Sequence, residues 1–168
     1  STPGTVCQYN STDTQALGAL LVRATGRSIT DFMQEHLYEP LGMESDGYWL
    51  LDSTGREMAF GGLNLTARDF AKLGELYRRG GEWNGRQVLP ADWVASSIVP
   101  DAPHLEWGRP VIAGERLPDG YGYQWWLIPG GLDQYAAIGV YNQWVFVSPH
   151  DHVTIVKLSA NRTYGTTM

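Results

Sequence analysis

The second half of the chain carries the strongest constraint on its fold. Four short β-rich runs occur close together, at 121–128, 135–140, 143–147 and 153–158. They are rich in Val, Ile, Trp and Tyr, as half-buried strands are. The turn Ser148-Pro149-His150-Asp151-His152 joins the last two. An antiparallel meander is therefore expected in this region.

The first hundred residues read differently. Gln15 follows Thr12 at capping-box spacing, so Thr12 or Ser11 is the expected N-cap of a first helix. Ala16, Leu17, Leu20, Leu21 and Ala24 recur at helical spacing, and Gly26 can stop the helix. Ser28 with Asp31 opens a second helix, expected to stop before Pro40. Residues 48–51 are a short extended run, Ser53-Thr54-Gly55 a turn, and Gly61-Gly62-Leu63-Asn64 a loop. Thr66 with Asp69 opens a third helix with Phe70, Leu73, Leu76 and Tyr77 as its stripe, closed by Gly80-Gly81. Pro90 starts a short fourth helix, and 100–120 reads as a long loop. The order is helices first and a sheet afterwards, so the fold class is α+β. Residues 1–100 form a mainly helical region, and 101–168 form a loop with antiparallel strands.

Composition narrows the function. The formal net charge is −6 with no basic cluster, which argues against a nucleic-acid partner. No apolar run approaches the length of a transmembrane helix. The single Cys7 excludes an internal disulfide and any multi-cysteine metal site. As a nucleophile it has no visible His partner. His150-Asp151-His152 is better read as a solvated turn than as a metal site, because extended neighbours face opposite ways and no third ligand is evident. The seven Trp and nine Tyr fit a bulky core, an aromatic-lined pocket or a carbohydrate-binding module. The capped helices speak against the last, which would be compact and all-β.

The stretch Tyr9-Asn10-Ser11-Thr12-Asp13 places a phenol, an amide and two hydroxyls directly ahead of the first helix. Polar groups on a loop pinned to a rigid element can be aimed. With Ala24-Thr25-Gly26-Arg27-Ser28, Glu39-Pro40-Leu41-Gly42-Met43, Phe60-Gly61-Gly62-Leu63-Asn64, Arg68-Asp69, Tyr121-Gly122-Tyr123-Gln124-Trp125-Trp126 and Gly139-Val140-Tyr141-Asn142-Gln143, it gives an ordered series. In that series the chain resembles the serine β-lactamase and penicillin-binding-protein-like hydrolases. The branch it is most similar to contains class C β-lactamases, esterases and 6-aminohexanoate-dimer hydrolases.

The resemblance implies a two-lobed α+β fold and a serine acylated by an ester or amide. Tyr9 looks like the family tyrosine that shares proton transfers with a lysine. A phenol ionises near pH 10 and works as a base only where cations favour its anion. Ser11 stands where a second polar residue would join that network. Gly139, Val140, Tyr141 and Gln143 match the inner-strand stretch that borders the oxyanion or substrate edge. Tyr141 and Asn142 depart from the Lys or His and the Gly usual there. Tyr48, Trp49, Trp125 and Trp126 are pocket candidates. Trp125 and Trp126 are adjacent, so at most one can face a shared pocket. No metal or organic cofactor is implied.

One family element is not found. Ser53 and Ser159 are followed three residues on by Arg56 and Arg162, and no serine by Lys. The expectation is that this is the C-terminal part of a larger hydrolase, with its Ser-x-x-Lys segment upstream and a family C-terminal helix beyond the last strand. Its partner would be a small ester or amide, and it would need the upstream part of its own fold. A non-catalytic ligand-binding protein on the same fold is the alternative.

Overall fold

The computed structural model describes Thr2, residues 4–109 and residues 119–163. The part of the expected long loop at 110–118 lies outside the described residues. The chain divides into two units, one of residues 9–72 and one of residues 1–8 with 73–168.

In the 9–72 unit, α1 spans Ser11–Thr25. Its N-cap is Asn10 and not Thr12 or Ser11. The extended backbone of Asn10 lets its side-chain oxygen accept the Thr12 N–H at 3.0 Å. Gln15 does not close a capping box. Its amide donates to the Glu57 carbonyl and accepts from the Ala59 N–H, both at 2.9 Å. Gly26 ends the helix in the left-handed conformation, with φ 69°. The buried side of α1 centres on Gly18, where an added Cβ would lie 2.6 Å from Ala59 Cβ. Leu17 and Leu20, members of the expected apolar stripe, are 55% and 62% exposed. The backbone at Ala59 approaches the helix where it lacks a side chain.

Ser28 caps α2 (Ile29–Met33) by accepting the Asp31 N–H. The helix does not stop before Pro40. A π-turn over Gln34–Tyr38 and a last turn, α3 (Glu39–Leu41), carry it through. Proline cannot donate and crowds the carbonyl four residues back, and the widened turn relieves both. Strands β1 (Tyr48–Trp49) and β2 (Leu63–Asn64) pair antiparallel, so the end of the expected Gly61–Asn64 loop is a strand. Asp52 closes the connecting turn by accepting the Thr54 and Arg56 N–H groups.

The unit boundary falls within α4 (Ala67–Arg78). Thr66 caps it by accepting the Asp69 N–H. The chain leaves α4 through Gly80 and Gly81, both at positive φ. A tight hairpin follows, β3 (Glu82–Trp83) with β4 (Arg86–Gln87), turned by Asn84 and Gly85. Then comes α5 (Ala91–Ser97).

The remaining strands form a five-stranded antiparallel meander in chain order. They are β5 (Gly120–Tyr121), β6 (Trp126–Leu127), β7 (Tyr135–Gly139), β8 (Gln143–Ser148) and β9 (Val153–Lys157). The run expected at 121–128 is thus two strands. Gln124 at φ 69° turns the chain between them. Gly74 brings α4 onto this sheet, since a Cβ there would lie 2.6 Å from Thr154 Cγ2 and 2.9 Å from Val145 Cγ1. Trp125, Tyr135 and Val147 form the core, with Tyr77, Ile98, Leu127, Ala137 and Val145 against them.

Candidate functional site

Tyr9 directly precedes the Asn10 cap and is 62% exposed. Ser11 is the first helical residue and is exposed. Besides the Thr12 N–H, the Asn10 amide reaches Asp13 Oδ1 at 3.4 Å. The N-terminal end of α1 is therefore fixed by its own cap, and Gln15 holds the helix to the segment joining β1 and β2. Tyr9 and Ser11 sit on either side of this cap, Ser11 on the helix and Tyr9 in the chain that leads into it.

A second fixed loop in the same unit leads into β1. The Asp69 side chain is fully buried. It accepts the Glu44 N–H at 2.8 Å and the Thr66 hydroxyl at 2.8 Å. Lys72 Nζ lies 3.7 Å from Asp69, 3.3 Å from Glu44 Oε1 and 2.5 Å from the Gly42 carbonyl. Burial alone would raise the Asp69 carboxyl. The Glu44 N–H, the Thr66 hydroxyl and Lys72 more than offset it and hold it below the usual carboxylate range. From the other side, the Tyr38 hydroxyl donates to the Ser45 carbonyl. The 42–47 loop so held delivers Tyr48, which is exposed, and Trp49, which is half-buried with a buried indole N–H that meets no acceptor.

In the other unit, the β7–β8 turn carries Val140, Tyr141 and Asn142 between the paired residues Gly139 and Gln143. Val140 and Tyr141 are both exposed. Gln143 Nε2 donates to the Val140 carbonyl at 3.1 Å. Trp125 lies just before β6 and Trp126 begins it, and the two have different surroundings. Trp125 is 8% exposed and stacks at a tilt on Tyr77 in the core, at 4.7 Å between ring centroids. Trp126 is half-buried and meets the edge of Tyr121 at 4.9 Å.

The rival sites have structural roles. Cys7 is buried, and burial raises its thiol pKa, the wrong direction for a nucleophile. Asp151 accepts from the Ser148 hydroxyl and pairs with His150, which closes the β8–β9 turn. Ring nitrogen Nδ1 of His152 lies 3.2 Å from Arg78. Among the described residues no group of three His, Cys, Asp or Glu could hold a metal ion. None of their helices is long and apolar enough to cross a membrane.

The Asp69 node was only half visible in the sequence. Thr66-x-x-Asp69 marks a cap, but nothing local says that the same carboxylate takes up the Glu44 N–H from a distant loop. The hydrogen bond from the Trp144 indole to Asn142 Oδ1, at 2.5 Å, likewise has no motif.

Comparison with known proteins places this architecture. The family model described as Beta-lactamase matches residues 1–167. The 6-aminohexanoate-dimer hydrolase of Paenarthrobacter ureafaciens is 30% identical over 158 residues, which are 91% of this chain and 39% of that protein. A solved Bacillus anthracis protein assigned as a 6-aminohexanoate-dimer hydrolase superposes with TM-score 0.82 at 30% identity, over 96% of this chain and 40% of that one. A family VIII carboxylesterase shares the fold with TM-score 0.75 at 15% identity, over 96% of this chain and 54% of that one. The chain spans about two fifths of the length of the curated relative and the Bacillus anthracis structure, at 39% and 40%. With a family match along almost its whole length and the α+β architecture of these hydrolases, the chain belongs to the beta-lactamase family.

Proposed function

We propose that this chain is part of a serine hydrolase that cleaves a small ester or amide through an acyl-enzyme. The observation that carries the reading is Tyr9, an exposed tyrosine placed directly before the capped end of α1 in a chain of this family. In this reading residues 1–100 and 101–168 belong to one larger catalytic domain. The acylated serine and its lysine lie on a segment outside these residues, since no serine here has Lys three residues on.

The chemistry follows from the groups required. The nucleophilic hydroxyl must lose a proton as it attacks the carbonyl, and the leaving alkoxide or amine must gain one. A phenolate, its anion favoured by a neighbouring lysine ammonium, can take the first proton, and the phenol so formed can return it to the leaving group. Tyr9 is assigned that role, and Ser11 supports it by hydrogen bonding. The edge formed by Gly139, Val140, Tyr141 and Gln143 borders the carbonyl oxygen, where dipoles fixed in advance stabilise developing negative charge. Trp126 is the pocket candidate of its pair, because Trp125 is committed to the core. Tyr48 and Trp49 are further candidates for the pocket wall.

The test is Tyr9→Phe in the protein extended to the length of its relatives, assayed with p-nitrophenyl butyrate and a matched anilide. The expected result is a loss of roughly 10²–10⁴-fold in kcat, the usual scale for removing a positioned acid or base. Retention of full activity would remove Tyr9 from the mechanism.

A further inference from the structure

The β7–β8 turn holds an unusual backbone. Tyr141 and Asn142 are consecutive non-glycine residues at φ 65°. L side chains seldom adopt this conformation, and asparagine tolerates it better than a bulky aromatic. Such a conformation persists only where its surroundings over-determine it.

Two side-chain hydrogen bonds do so here. Gln143 Nε2 pins the Val140 carbonyl at 3.1 Å, and with it the planar peptide joining Val140 to Tyr141. The Trp144 indole Nε1 donates to Asn142 Oδ1 at 2.5 Å. Trp144 is a rigid reference, because it lies on β8 and is paired on both sides, with Ile138 of β7 and Lys157 of β9. The indole therefore ties the turn to an inner strand of the sheet.

We propose that Asn142 and Trp144 are positioning residues that hold the Val140–Tyr141 turn in register with the reacting carbonyl. This rests on the hydrolase reading above. Neither residue touches substrate; they act through the turn. A small displacement at such an edge weakens transition-state contacts more than ground-state binding. The loss then falls on kcat and not on KM.

Three variants in the extended protein test this with p-nitrophenyl butyrate. Asn142→Gly keeps the backbone conformation and loses the acceptor. Trp144→Phe keeps ring bulk and loses the donor. Asn142→Asp keeps an acceptor oxygen and is the conservative rescue. The first two are expected to lose about tenfold or more in kcat with KM within about twofold. Asn142→Asp is expected to stay within about threefold of the parent. Parental kcat in both Asn142→Gly and Trp144→Phe would overturn the proposal. So would equal losses in Asn142→Asp and Asn142→Gly, since the acceptor would then not matter. A parent protein that itself hydrolyses nothing would refute the hydrolase reading, and the proposal with it, before any variant is compared.

Discussion

The Asp69 carboxylate accepts the Glu44 backbone N–H at 2.8 Å from a position with no exposed surface. One carboxylate thus joins the cap of α4 to the loop that leads into β1. Asp69→Ala would leave the Glu44 N–H and Lys72 without their buried acceptor. The expected cost is about 3 kcal/mol, the scale for removing one partner of a buried charged pair. Urea unfolding at pH 7 checks it, and a cost below about 1 kcal/mol would mean that water replaces the carboxylate freely.

Glu75 gives a pH dependence with a definite sign. Hydrogen bonds from Arg78 and, against the opposing effect of burial, from Arg79 hold its carboxyl down to about 2. The bonds measure 2.6 Å and 2.7 Å. The folded value lies below the unfolded one, so the stability it contributes is present above about pH 4.3 and is lost as pH falls toward 2. Glu75→Gln should destabilise by roughly 1–2 kcal/mol at pH 7. The gap should narrow between pH 4 and pH 2.5 in thermal unfolding. A gap that stays constant through that window would assign the effect to packing.

Tyr135 is 1% exposed, and its hydroxyl has no hydrogen-bond partner. Removing an unsatisfied buried hydroxyl relieves a desolvation cost, so Tyr135→Phe is expected to be neutral or stabilising by up to about 1 kcal/mol. Burial also pushes the phenol's pKa upward. The stability linked to it is present below about pH 10 and drains as pH rises above that. The substitution should flatten the alkaline limb of the stability profile. Destabilisation beyond about 1 kcal/mol would mean that the hydroxyl is satisfied after all.

What the sequence revealed depended on how local each cause is. The Thr66–Asp69 cap, the Gly26 stop and the turn at 148–152 follow from a few adjacent residues, and each stands where its pattern places it. The α1 cap moved to Asn10 because several neighbouring residues can cap and only the backbone conformation chooses among them. The helix expected to end at Pro40 continues because the chain can widen one turn, an option that no residue type announces. The split of the 121–128 run turns on Gln124 adopting a left-handed backbone, which its composition does not mark. At the candidate site, the place of Tyr9 just before a helix was legible, while its assignment came from the family resemblance. Burial of Asp69, and which of Trp125 and Trp126 goes into the core, depend on elements distant in the chain and were not.

The most direct test of the account is intact-mass labelling with a fluorophosphonate probe, applied to this chain and to the version extended to the length of its relatives. The account predicts one adduct on the longer protein alone, on a serine followed three residues later by lysine. A folded longer protein that stays unlabelled would contradict the hydrolase reading in favour of a non-catalytic binding protein on the same fold. An adduct on the short chain would place the nucleophile among these residues, with Ser11 the first to examine.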